Sequence, residues 1–175
     1  MATYSVSDYL LDRVNIQDTI TAMTWHVDRK NWDDLSSVFT DKLVMDYTSI
    51  LGGGPVDTTA VDQAQTWKSM LEYIDSTQHV VAGILIKLPQ PISDTPVGIP
   101  AVAECSCNCS VTLMRSAAHG DPIQQSGGHY KFKLLRGAPS PSGNPWRISY
   151  MKADLAFMKG NADVAMNPKT SIGWL

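Results

Sequence analysis

Asp28 and His79 are the residues of this chain whose types best suit acid–base chemistry near neutrality. An imidazole, with an ordinary pKa of ~6.5, can take a proton alpha to a carbonyl and return it to a leaving hydroxyl or to another carbon. A carboxylate beside it fixes the ring tautomer and stabilises its cation. Asp28 follows Thr21, Thr24 and Trp25 at one and two helical turns, on the flank of an apolar stripe, so it borders the core. His79 opens the apolar run Val80-Val81-Ala82-Gly83-Ile84-Leu85-Ile86. Read singly, a residue placed like Asp28 is more often a solvated helix-end carboxylate, here beside Arg29 and Lys30, and one placed like His79 more often a hydrogen-bonded structural residue, so neither alone makes a case. Tyr47 adds a hydroxyl able to meet a ligand oxygen. Its neighbour Asp46 must point to the opposite face if both lie on a strand.

The elements that would position these groups follow from periodicity. Ser5 or Ser7 caps a short helix carrying Tyr9, Leu10 and Leu11, and Asn15 caps a second, whose apolar positions Ile16, Ile20, Met23 and Val27 carry it to about Arg29. Asn31 starts a brief helix with Leu35, Val38 and Phe39. A strand over 43–48 ends at the Gly52-Gly53-Gly54-Pro55 breaker, a loop follows, and a longer helix spans about 58–74. Strands are expected over 79–88, 101–115, 129–136 and 146–157. Helices first and long strands afterwards predict an α+β fold in one domain, 1–175, whose curved, mostly antiparallel sheet wraps around the helices. The tail 159–175 is apolar enough at Val164, Met166, Ile172 and Trp174 to pack as a lid, or else it frays.

Composition narrows the function classes. With 14 basic against 17 acidic residues the net charge is −3, lacking the basic surplus that phosphate-backbone binding needs, so no nucleic-acid partner is expected. No run reaches the roughly 20 apolar residues of a membrane span, and the start lacks a basic-then-apolar leader, which predicts a cytoplasmic protein without a membrane partner. Cys105, Cys107 and Cys109 alternate on a strand, about 7 Å apart on one face, too far apart for tetrahedral zinc. They are expected to be core residues, and no metal is expected. Gly52-Gly53-Gly54 lacks the Gly-Lys-Ser/Thr of a phosphate loop, and no nucleophile elbow occurs. On the strand 129–136, Tyr130, Phe132 and Leu134 face inward and His129, Lys131 and Lys133 outward. His26 and His119 are expected at the surface.

Trp25 through Leu51 (WHVDRKNWDDLSSVFTDKLVMDYTSIL), Thr77-Gln78-His79 before an apolar strand and Trp146-Arg147-Ile148 opening the last strand together resemble the SnoaL-like branch of the NTF2-like superfamily, and within it the scytalone dehydratases. The likeness runs from about Tyr9 to Met158. It implies a cone-shaped α+β barrel with one deep apolar pocket. It pairs Asp28 with His79 as the catalytic dyad and matches Tyr47 to one of two tyrosines that hold a water against the substrate carbonyl; here Tyr47 is expected to polarise that carbonyl. Trp25, Thr24, Trp67, Tyr130 and Phe132 are then expected to line the substrate pocket. Val27 stands where that family has a second tyrosine, no histidine stands near Ser110 to Thr112, and Tyr130 stands near the family's asparagine, so scytalone itself is not the expected substrate. The resemblance implies a cofactor-independent lyase or isomerase acting on an apolar polycyclic metabolite of polyketide or terpenoid origin, in a homo-oligomer, dimer or trimer. A cyclase or rearrangement catalyst and a non-catalytic binding module are the alternatives. The module is favoured if Asp28 and His79 point apart or if aromatic rings fill the pocket.

Overall fold

The computed structural model describes residues 3–91, 96–140 and 143–166. Helix α1 runs unbroken over Val6–Asp28, where two helices were expected. No glycine or proline interrupts this segment, so Asn15, a good cap by type, is carried through as an ordinary helical residue. Ser5 caps it instead. Its hydroxyl accepts from Asp8 N at 3.1 Å while its own N–H donates to the Asp8 carboxylate at 2.9 Å. After α1, Lys30 adopts φ 54°, and its ammonium donates to the Ile74 carbonyl at 2.5 Å, tying the helix end to the start of a later strand.

The short helix α2, Trp32–Leu35, and a 3₁₀ turn, Ser36–Val38, lead into β1, Phe39–Asp46. Tyr47 lies just past this strand and caps α3, Thr48–Leu51, a turn of helix where extended chain was expected. Strand β2, Val56–Thr59, occupies the expected loop, and α4, Ala60–Leu71, is shorter than the predicted helix. Strands β3, Ser76–Lys87, β4, Val102–Met114, β5, Ile123–Arg136, and β6, Trp146–Gly160, complete a six-stranded sheet of order β2-β1-β6-β5-β4-β3. The β1–β6 pair is parallel and the other neighbours are antiparallel.

Helix α1 packs against both β3 and β6, which have two strands between them, so the sheet curves over it. The sheet does not close into the expected barrel, because β2 and β3 remain free edges. Ile16 and Ile20 from α1, Leu35 from α2, and Leu134 and Ile148 from the sheet are fully buried between the layers. Each such side chain contributes about 1.5–3 kcal/mol. Strand β5 begins six residues before the expected start, and Gly127-Gly128 sit where its register with β6 shifts. A Cβ on Gly127 would meet the Phe157 ring at 2.4 Å, which must then turn aside, and one on Gly128 would meet the Asp154 backbone carbonyl at 2.1 Å, so glycine is required at 128. Of the expected lid, Lys159 and Gly160 end β6, and a 3₁₀ turn, Ala162–Ala165, buries Val164 and Ala165 in the core. Ile172 and Trp174 lie outside the described residues.

Candidate active site

Asp28 is the last residue of α1, and β3 passes alongside it. Because β3 starts at Ser76, Thr77 and His79 are alternate residues turned to the helix side of the sheet. The Asp28 carboxylate therefore meets three donors from one strand. Its Oδ1 lies 2.6 Å from His79 Nδ1 and accepts from the Thr77 hydroxyl at 2.7 Å, while its Oδ2 accepts from the His79 main-chain N–H at 2.7 Å. Burial pushes the Asp28 carboxyl up, but the His79 ring, the His79 N–H and the Thr77 hydroxyl together outweigh it and hold the group below the usual carboxylate range. The pair is part-buried, with side chains 15% and 17% exposed.

With Nδ1 committed to Asp28, Nε2 is the ring position left for chemistry. His79 lines a partly open cavity of about 120 Å³ bordered by α1, α3, α4 and strands β3 to β6. Its lining is mostly apolar, including Met23, Val27, Met70, Leu71, Val111 and Met151. The polar side chains on the wall are few, and no lysine or arginine is among them. Thr24 is one, but its hydroxyl is engaged by the Thr21 carbonyl at 3.0 Å. Asp154 lies at the wall with its carboxylate held by Lys131 at 3.2 Å and Lys152 at 3.1 Å.

Tyr47, Trp67, Cys109 and Tyr130 are also on the wall. Burial pushes the Tyr47 phenol far above its ordinary range, with the Trp67 indole pulling weakly the other way and Cys109 adding to the rise. Tyr130 is raised likewise, chiefly by burial and then by Cys109 and Tyr47. Both phenols thus keep their protons and can donate. The three cysteines are buried on one strand face, where desolvation pushes Cys105, Cys107 and Cys109 up to about 12, 11 and 12. Among the described residues no three His, Cys, Asp or Glu side chains gather into a metal-sized group.

The structure thus brings together Asp28, His79, Tyr47, Thr24, Trp67 and Tyr130. Two residues expected on the pocket wall lie elsewhere. Trp25 is 63% exposed, because at about 100° per residue it turns away from the buried stripe that holds Thr24. Phe132 is 3% exposed and packs edge-on to Tyr130 in the core, one alternate position beyond the cavity. Asp46 and Tyr47 do diverge as expected. Asp46 accepts from Tyr150 at 3.1 Å and caps Thr48 N at 3.0 Å, and Tyr47 enters the cavity. Thr77 was missed as a site residue. Its signal was position, two residues before His79, and it is hidden once the strand is started at His79 itself.

An open α+β sheet curved over a long helix, with an apolar hollow whose wall includes His79 and with Asp28 bound behind that ring, defines a domain of the NTF2-like kind. The profile of the SnoaL-like domain family matches residues 8–152, and the chain belongs to that family. Among solved structures it is similar to the Kfla4162 protein from Kribbella flavida, with a TM-score of 0.76 at 21% identity over 90% of this chain and 99% of that one. A candidate scytalone dehydratase from Novosphingobium aromaticivorans gives 0.67 at 12% identity over 86% and 88%. The hexachlorocyclohexane dehydrochlorinase LinA, type 2, gives 0.66 at 17% over 95% and 99%. These likenesses establish the fold. No protein with a curated description matches the sequence. Among the described residues no helix is long and apolar enough to cross a membrane.

Proposed function

We propose that this protein is a cofactor-independent lyase or isomerase that moves a proton alpha to a carbonyl of an uncharged, apolar ring compound. The observation that carries the reading is the 2.6 Å contact between Asp28 and His79, a ring that lines the cavity. His79 Nε2 acts as the base, Asp28 holds the ring and stabilises its cation, and Tyr47 donates to the carbonyl oxygen as charge develops on it. The lining residues favour an uncharged substrate, since no lysine or arginine there would meet a carboxylate or phosphate. Polycyclic metabolites of polyketide or terpenoid type match that lining in polarity, with about one ring seated in the hollow of about 120 Å³ and the rest of the molecule at its open side. Dehydration and isomerisation differ only in where the proton is returned. The contact between the pair and the presence of a hollow both count against a purely ligand-holding module.

The test needs no known product. Cyclic ketones and hydroxyketones of two or three rings are incubated in deuterated water, and alpha-deuterium incorporation is followed by NMR. Exchange above the buffer rate is expected for members of the panel that bind. It should vanish in His79→Ala and fall about 10–1000-fold in folded Tyr47→Phe, the scale of one oriented donor. Binding without exchange in the wild-type protein would sink the enzymatic reading and leave a ligand-holding domain.

A further inference from the structure

The Asp28 carboxylate is held by three hydrogen bonds, and two of them come from the very residue it is meant to orient. The third, from Thr77, comes from a side chain that is buried and does not line the cavity. A substrate cannot touch it, so the hydroxyl acts on the site only through the carboxylate.

We propose that Thr77 is the positioning residue of the dyad: by donating to Oδ1, the oxygen that also receives His79 Nδ1, it locks the carboxylate in the one orientation that keeps Nδ1 protonated and Nε2 bare toward the cavity. A carboxylate offers about four acceptor sites, and rotation about its last bond swings its plane, and with it the lone pair that faces Nδ1, out of line with the ring. Terminal torsions of this type are broad and weakly restrained by themselves. Here the restraint is external. The His79 N–H claims Oδ2 at 2.7 Å and the Thr77 hydroxyl claims Oδ1 at 2.7 Å, from alternate residues of one rigid strand. Threonine suits this task because its branched Cβ restricts χ1, so its hydroxyl is aimed before the hydrogen bond forms. Lys30 adds to the same alignment at the level of the backbone, fastening the end of α1 to Ile74, three residues before Thr77. Without the Thr77 hydroxyl, Oδ1 keeps only the ring as donor, and both the carboxylate and the imidazole gain freedom to turn.

The tautomer is read directly, by ¹⁵N NMR of the imidazole nitrogens in the full chain, with His79→Gln used to assign the His79 signals among the four histidines. The wild-type protein should show one protonated nitrogen, Nδ1, and one bare nitrogen, Nε2, for neutral His79. Thr77→Val, which keeps the shape and removes the donor, should give a mixture of the two tautomers, and Thr77→Ser should restore the single form. The kinetic arm rests on the function proposed above: with any ring compound that exchanges, kcat should fall up to about 100-fold in Thr77→Val with KM nearly unchanged, and recover in Thr77→Ser. Thr77→Ala is made in parallel, so that a folding defect peculiar to valine does not decide the matter. A wild-type tautomer pattern in folded Thr77→Val or Thr77→Ala overturns the proposal. So does loss of the fold in both, since the hydroxyl would then serve the fold rather than the ring. Failure of the functional reading looks different, because there the tautomer shifts with Thr77 while no compound exchanges in any variant.

Discussion

Helix α1 carries two buried or half-buried aspartates, Asp12 and Asp28, in opposite surroundings. Sixteen residues apart, they lie about 24 Å from each other along the axis and about 160° apart around it, on opposite flanks of the buried stripe. Asp12 accepts from the Tyr4 hydroxyl at 2.7 Å, from the Trp146 indole N–H at 2.9 Å and from the Arg136 guanidinium, which also stacks on the Trp146 ring at 4.6 Å. Each partner comes from a different element and each is a permanent donor near neutrality. Asp28 takes all its partners from β3, and one of them is an imidazole that faces a hollow. A buried carboxylate is a staple when its donors are fixed and the packing is closed. The same group becomes part of a reactive pair when one donor can itself lose and regain a proton beside an empty space.

The largest effects should come from breaking the reactive pair. Asp28→Asn and His79→Ala are each expected to lower turnover about 100- to 10,000-fold, while the double variant is hardly worse than His79→Ala alone. Steady-state kinetics on the four proteins, with melting curves alongside, check this. Losses that multiply would mean two independent residues, and the contrast with Asp12 would collapse.

The staple should break in the other direction. Asp12→Asn leaves a guanidinium facing a neutral amide in a buried setting, at a cost of about 3–5 kcal/mol, or a fall in Tm on the order of 10 °C for a chain of this size. Turnover of the folded fraction, assayed well below the melting transition, should stay within about twofold of wild type. Lost turnover with an unchanged Tm would make Asp12 a functional residue after all.

The two aspartates also show what the sequence makes legible. Asp28 is marked as a candidate by local signals, a place on the flank of a periodic stripe, but its pairing with His79 is implied by the resemblance to the scytalone dehydratases and by no spacing in the chain. Asp12 escaped because two of its partners lie 124 and 134 positions away, and no period connects Arg136 or Trp146 to residue 12. The order of helices and strands and the inward face of Tyr130 and Phe132 followed from spacing. Which of the two rings reaches the cavity did not, since both share a face and differ only in depth. Gly127-Gly128 reads as loop in the sequence, although it lies inside β5, where the Asp154 backbone leaves no room for a Cβ at Gly128. Strand β2 was invisible because Val56–Thr59 is an exposed, mostly polar edge with no alternation to betray it.

The smallest expected effect concerns acid. The Asp28 carboxyl is held below its ordinary range in the folded protein, so its ionised form is preferred there relative to the unfolded chain. Its contribution to stability is therefore fully present above the unfolded value, about 3.9, and is lost as the pH falls through the lower folded value. Several other carboxylates are depressed too, among them Asp46, whose Thr48 caps outweigh its burial, and Asp75, held by Ser116. Wild-type acid denaturation alone therefore cannot isolate Asp28. The difference in unfolding free energy between wild type and Asp28→Asn, measured in denaturant from pH 6 to pH 2.5, does isolate it. That difference should be flat at the upper end and shrink below about pH 4. A difference that grew toward low pH would mean that desolvation, rather than Thr77 and His79, governs the carboxyl, and Asp28 would then be held no better than an unpaired buried acid.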